Sequence, residues 1–326
     1  WSAPRRPDAA AALDIRGSGF DPGIAPVRTN GAAAGRRNGT DEDFRAARLP
    51  STETASRSGK WLIAPHPNPS AKARLFCFPY AGGGLASFRA LARSLSDQIE
   101  LVAVEAPGRG TRINETAVGD LETFVQQLMP ELLEWLDRPS AFFGHCLGGL
   151  TMFVTLCALP SRLARWVKHA FACGVRPPHL LRRRGVFEDN LAYGMMLHHE
   201  FDISVPPYAQ PDDVFAYIVR KFDTPAANRM LEIPKLRKVL LPTIRAEFGM
   251  AYNYRYRPGE PFSFPLSSFV GEADPWVSEE DSAGWGVLTR SRFVNHVRKG
   301  SHFLMGDDEV YILQTIEKEL AAPAAH

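Results

Sequence analysis

Residues Ala141 to Leu150 read AFFGHCLGGL, and the path of the chain through them decides the fold. The run SAFFGH is short and apolar, as expected of a strand buried on both faces of a parallel sheet. LGGLTMFVTLCAL, which follows, is long and apolar enough for a buried helix. Between them, Gly144-His145-Cys146-Leu147-Gly148 sets small residues on both sides of one reactive side chain. A sharp strand-to-helix turn needs such glycines, because it holds its middle residue in strained geometry at the helix amino terminus. There the positive end of the helix dipole lowers a thiol pKa from its reference of about 8.5. Cys146 is therefore a candidate nucleophile, in a place where serine is the usual residue.

Working outward, short apolar runs (WLIA, ARLFCFP, IELVAVEAP, SAFFGH, WVKHAFACGV, FSFPLSSFVG, SRFVNHV) alternate with helix-like segments (SFRALARSLSD, LETFVQQLMPELLEWL, LGGLTMFVTLCAL, DEVYILQTIEKEL). That alternation predicts a doubly wound α/β architecture with a mostly parallel sheet. Between about residues 177 and 256 the pattern holds helix-like pieces and no convincing strand, which predicts a helical lid inserted above the strand ends. Residues 1–58 are rich in Ala, Arg, Gly, Pro and Asn without apolar period, and read as a flexible leader or linker ahead of a domain spanning 59–326.

The bulk properties narrow the function. The chain has 326 residues, 45% hydrophobic and 23% charged, with a formal net charge of +2. This balance points away from nucleic acid as a partner, and no run approaches the roughly 18 apolar residues of a membrane span. The four cysteines, Cys77, Cys146, Cys157 and Cys173, have no C-x-x-C spacing, so neither a disulfide framework nor a zinc site is indicated and a cytoplasmic location fits. Cys77, Cys157 and Cys173 read as interior thiols.

A nucleophile on such an elbow needs a late histidine and a carboxylate falling between the two in sequence. His302, in Gly300-Ser301-His302-Phe303, follows the last strand-like run, and Asp274, in VGEADPWVS, follows the one before it. Asp281, Asp307 and Asp308 lie near enough to compete for the orienting role. The oxyanion needs two backbone N–H groups. Leu147 offers one, and FPYAGGG (Phe78 to Gly84) offers the other from Ala81, or from Tyr80 as second choice. The order Cys146, Asp274, His302 is the one an α/β-hydrolase requires.

With those residues in place, the chain resembles the stand-alone type II thioesterases of polyketide and nonribosomal peptide biosynthesis. The resemblance is carried by LFCFPYAGGGLASFRAL (75–91), VEAPGRGTR (104–112), FFGHCLGG (142–149), LLPTIRAEFGMAY (240–252), VGEADPWVS (270–278) and GSHFLM (300–305). It implies an enzyme that takes an acyl or aminoacyl group from the phosphopantetheine thioester of an acyl or peptidyl carrier protein. In that case Cys146 would be the acyl acceptor, His302 the base, Asp274 its orienting acid, and Leu147 and Ala81 the oxyanion amides. Tyr80, Met195 and Phe215 are candidates for lining the acyl pocket. No metal or cofactor is implied, because the pantetheine arm belongs to the partner.

Cysteine for serine departs from the family pattern. It resembles cysteine-dependent aminoacyl shuttles between carrier proteins, and synthase domains that release strained rings. A thiol keeps the acyl group activated as a thioester, which favours transfer over hydrolysis. A non-catalytic relative that binds carrier proteins is the alternative of another class. His145 reads as packing that supports the turn. His198 and His199 read as structural or surface residues, and the run Arg182 to Arg184 as a solvated charge run, also suited to a carrier protein's acidic face or the pantetheine phosphate.

Overall fold

The expected strands and crossovers form. The computed structural model describes residues 60–181, 205–221, 228 and 231–321. The expected leader, Met195, His198, His199 and the 182–184 arginines lie outside the described residues. The strands are β1 (Leu62–Ile63), β2 (Ala73–Phe78), β3 (Ile99–Val104), β4 (Ser140–His145), β5 (Val167–Cys173), β6 (Leu266–Gly271) and β7 (Phe293–Arg298). They join in one sheet of order β1-β3-β2-β4-β5-β6-β7, with β1 antiparallel to β3 and every other pair parallel.

Every residue of β2, β4 and β6 is buried, as parallel strands covered on both faces require. Alternate side chains feed two cores. Phe76, Phe78 and Phe142 point to the side covered by α2 (Leu121–Trp135) and α3 (Leu147–Cys157). Leu75, Cys77, Phe143 and Phe171 point to the side covered by α1 (Arg89–Ser94) and the carboxyl-terminal helix. The start of α2 is set by Asp120, whose side chain accepts the Thr123 N–H at 2.8 Å.

Between β5 and β6 the described chain is helical. It includes α4 (Asp212–Lys221) and α5 (Pro234–Asn253), which share a third apolar cluster of Phe215, Ile218, Val219, Leu241, Ile244 and Phe248. After β6 come α6 (Glu279–Ala283), α7 (Leu304–Asp307) and α8 (Glu309–Ala321). No helix among the described residues is long and apolar enough to cross a membrane. Cys77 and Cys173 are buried thiols, whereas Cys157 is exposed at the end of α3, contrary to the interior reading.

Candidate active site

Loops leaving the carboxyl ends of β2, β4, β6 and β7 converge, as ligand-binding loops do in sheets of this kind. The tightest is the turn after β4. Cys146 has φ 53° and ψ −119°, and it alone among the described non-glycine residues has positive φ. Holding a side chain there costs about 1–3 kcal/mol and persists only where the surroundings enforce it. The glycines allow that enforcement. A Cβ on Gly144 would lie 2.4 Å from the Gly148 carbonyl oxygen, and one on Gly148 would lie 2.0 Å from that of Phe78. The Cys146 N–H donates to Cys173 O at 2.9 Å, and the Gly149 N–H donates to Cys146 O at 2.9 Å.

His302 and Asp274 come together. His302 Nδ1–H donates to Asp274 Oδ2 at 2.9 Å, and Asp274 Oδ1 accepts the N–H groups of Trp276 and Val277 at 2.8 and 3.1 Å. The acid is thus fixed by two amides while it aims the imidazole. Of the competing carboxylates, Asp281 is engaged with Arg176 at 3.1 Å and Asp308 with Arg298 at 2.5 Å. Burial pulls the His302 pKa down, but the sulfur of Cys146 and the Asp274 carboxylate favour the imidazolium and raise it to about 10. His145, 1% exposed, donates from Nε2 to the His302 carbonyl at 2.9 Å and packs edge-on against Tyr80 and Phe303.

In the loop after β2, the Gly82 N–H donates to Glu247 Oε2 at 2.9 Å, that of Gly83 to Tyr80 O at 2.8 Å, and that of Gly84 to Ser87 Oγ at 3.3 Å. Among the contacts of the described residues, the Ala81 amide has no acceptor. Phe215 is fully enclosed in the α4–α5 cluster, edge-on to Phe248 and beneath the Arg245 guanidinium.

A strained elbow between a parallel strand and a helix, with a histidine–carboxylate pair on later strand ends, defines an α/β-hydrolase. Within that class, residues 73–320 match the thioesterase domain family, and the chain belongs to it. It is 30% identical over 263 residues to the linear gramicidin dehydrogenase LgrE of Brevibacillus parabrevis, covering 80% of this chain and 92% of that protein. It is 28% identical over 266 residues to the gramicidin S biosynthesis protein GrsT of Aneurinibacillus migulanus, covering 81% and 95%. Among solved structures, the RedJ thioesterase with a PEG molecule bound in its active site aligns with a TM-score of 0.65 at 27% identity. That alignment covers 83% of this chain and 98% of RedJ.

The cysteine-specific part of the sequence expectation is corrected here. A second hydroxyl–imidazole–carboxylate series is present: Ser267 Oγ lies 2.9 Å from His169 Nε2, and His169 Nδ1 lies 3.3 Å from Glu319 Oε2. At the elbow, His302 Nε2 has no hydrogen-bond partner among the described residues, whereas Ser267 Oγ is at hydrogen-bond distance from His169 Nε2, although His169 Nδ1 makes no hydrogen bond to Glu319. These contacts overturn the reading of Cys146 as acyl acceptor in a Cys-His-Asp triad. With it go the proposed kinships to cysteine-dependent shuttles and ring-forming domains, for the family match does not depend on sulfur. The serine series occupies the other end of the sheet. Ser267 is the second residue of β6, about 13 Å along the strand from Gly271, and it is 0% exposed.

Two buried histidines give the fold an acid limit. Burial, with the charge of His302, lowers His145 to about 4, and burial, with Arg292 and His296, lowers His169 to about 3, from an ordinary 6.5. The unfolded chain therefore takes up these protons first. Their contribution is complete above the unfolded value and is lost as pH falls below it. Each costs about 2 kcal/mol of stability at pH 5. His302, with its raised value, acts in the opposite window: its contribution is full below the unfolded value and declines as pH rises toward about 10. Urea unfolding should show a clearly lower midpoint at pH 5 than at pH 7. Equal midpoints would refute the neutral assignment of both imidazoles.

Proposed function

We propose that the chain is a type II thioesterase that hydrolyses acyl or peptidyl thioesters on carrier proteins of polyketide or nonribosomal peptide assembly. The observation that carries this reading is the His302–Asp274 pair beside the β4 elbow, within a family match that runs from β2 to the last helix. Similarity to the thioesterase PikA5 of Streptomyces venezuelae and to the gramicidin S biosynthesis protein GrsT supports this reading. Four free cysteines in the chain fit a cytoplasmic setting.

The site proposed for the thioester is the cleft at the strand ends around Cys146. There the amides of Leu147 and Ala81 face the developing oxyanion. His302, oriented by Asp274, holds the proton of the group that attacks the thioester carbonyl, gives it to the pantetheine sulfur as the carbon–sulfur bond breaks, and then takes one from the water that frees the acid. The described helices between β5 and β6, α4 and α5, serve as the lid, with Tyr80 contributing to the substrate side.

The test is release of free acid from acyl-loaded carrier proteins, followed by intact-protein and peptide mass spectrometry of the trapped acyl-enzyme. The same measurements on Cys146→Ala and Ser267→Ala assign the residue that carries the acyl group. Turnover of a carrier-bound thioester is expected. Tight carrier binding without release across a panel of acyl groups would replace the enzyme reading with a binding one.

A further inference from the structure

Helix α5 touches the loop after β2 that carries Ala81 and the loop after β3, and it does so through one face. Thr243 Oγ1 donates to Gly108 O at 3.3 Å, and a Cβ on Gly108 would come within 2.5 Å of that hydroxyl. One turn further on, Glu247 accepts Arg109 Nε–H at 2.7 Å through Oε1 and the Gly82 N–H at 2.9 Å through Oε2, while Arg109 Nη2 closes an ion pair on the same carboxylate. The side chains of Arg109 and Glu247 are 5% and 10% exposed. Gly82 has φ +86°, a conformation that glycine adopts freely and that needs an outside anchor to be held.

Burying such a pair contributes little to stability compared with apolar residues of the same size. What the carboxylate supplies that an apolar side chain could not is an acceptor for the Gly82 amide. Because Glu247 takes that amide, the one before it, Ala81, is turned free. We propose that Glu247, held by Arg109, is a positioning residue for the oxyanion loop, so that the seating of helix α5 sets the geometry of the Ala81 amide. This inference rests on the oxyanion assignment proposed above.

Two variants test it: Glu247→Gln, which keeps an acceptor oxygen, and the double Arg109→Met/Glu247→Leu, which removes both charges and leaves no unpaired ion. For the folded double variant, kcat should fall about 10- to 100-fold with KM within about threefold, since misplacing one oxyanion donor acts on the transition state. Affinity for an alkyl trifluoromethyl ketone, whose carbonyl becomes an oxyanion when the attacking group adds to it, should weaken by the same factor as kcat/KM. Affinity for an unreactive thioether analogue should hold. Glu247→Gln should fall between wild type and the double variant.

Amide hydrogen exchange over residues 79–84 should quicken in the double variant, a readout that needs no turnover. A folded double variant with unchanged exchange, kcat and ketone affinity overturns the proposal. If the wild-type protein hydrolyses no carrier thioester, the functional reading fails by itself, and exchange still decides whether Glu247 holds the loop.

Discussion

Replacement of His302 by alanine lowers kcat for carrier-thioester hydrolysis by about 10³-fold, equivalent to about 4 kcal/mol of transition-state stabilisation. The size follows from the role. His302 must supply a proton to one leaving group and remove one from water, and no other described imidazole shares its place beside the elbow with a carboxylate at hydrogen-bond distance. The fold should survive, because Asp274 keeps the Trp276 and Val277 amides on its other oxygen. Steady-state hydrolysis of an acyl carrier protein, with a thermal melt as control, measures the effect. His169→Ala assayed in parallel reads the buried serine series. A loss confined to His169→Ala, with His302→Ala active, would move the base to that series.

Gly148→Ala should cost about 3 kcal/mol of stability and remove activity together. The added methyl would stand 2.0 Å from the Phe78 carbonyl oxygen and 2.8 Å from that of Pro79. Both are main-chain atoms at the end of β2, so relief requires α3 to move away from the sheet. That shift displaces Leu147 and opens the loop carrying Ala81. Chemical denaturation checks the first effect and single-turnover hydrolysis the second. A variant within about 0.5 kcal/mol of wild type, at full activity, would show that the approach of helix to strand is looser than described.

The parts of this molecule that read clearly from the chain are those governed by local pattern. Leu75, Phe76, Cys77 and Phe78 alternate between two cores as a doubly covered strand must. The glycines around Cys146 announce a turn that only small residues permit. Order along the chain brought His302 and Asp274 forward because each stands at the end of a strand-like run, and their meeting at 2.9 Å follows from the parallel neighbours β6 and β7.

Other features depend on pairings that no window of sequence contains. Glu247 meets Gly82 from 165 positions away, and its only local cue is a charge among the apolar positions of α5. Ser267 and His169 sit mid-strand, 98 residues apart, where period-2 reading treats them as filler. Phe215 has the composition of a pocket residue but is consumed by the packing of α4 on α5. Apolar surface that binds ligand and apolar surface that binds a neighbouring helix look alike in one dimension.

The edge position of β7 has a consequence for the life of the protein before it is ever an enzyme. This strand follows the other six described strands along the chain, every one of its residues stays half-buried, and among the described strands its sole neighbour in the sheet is β6. The elbow, the glycine loop and Asp274 can all be in place while His302 is still being synthesised or is yet to dock. On the assignment proposed here, a nascent or truncated chain has no base to offer. Hydrolytic capacity therefore appears only once β7 and the loop carrying His302 have been made and docked, and chains that stop before them compete for carrier proteins without unloading them.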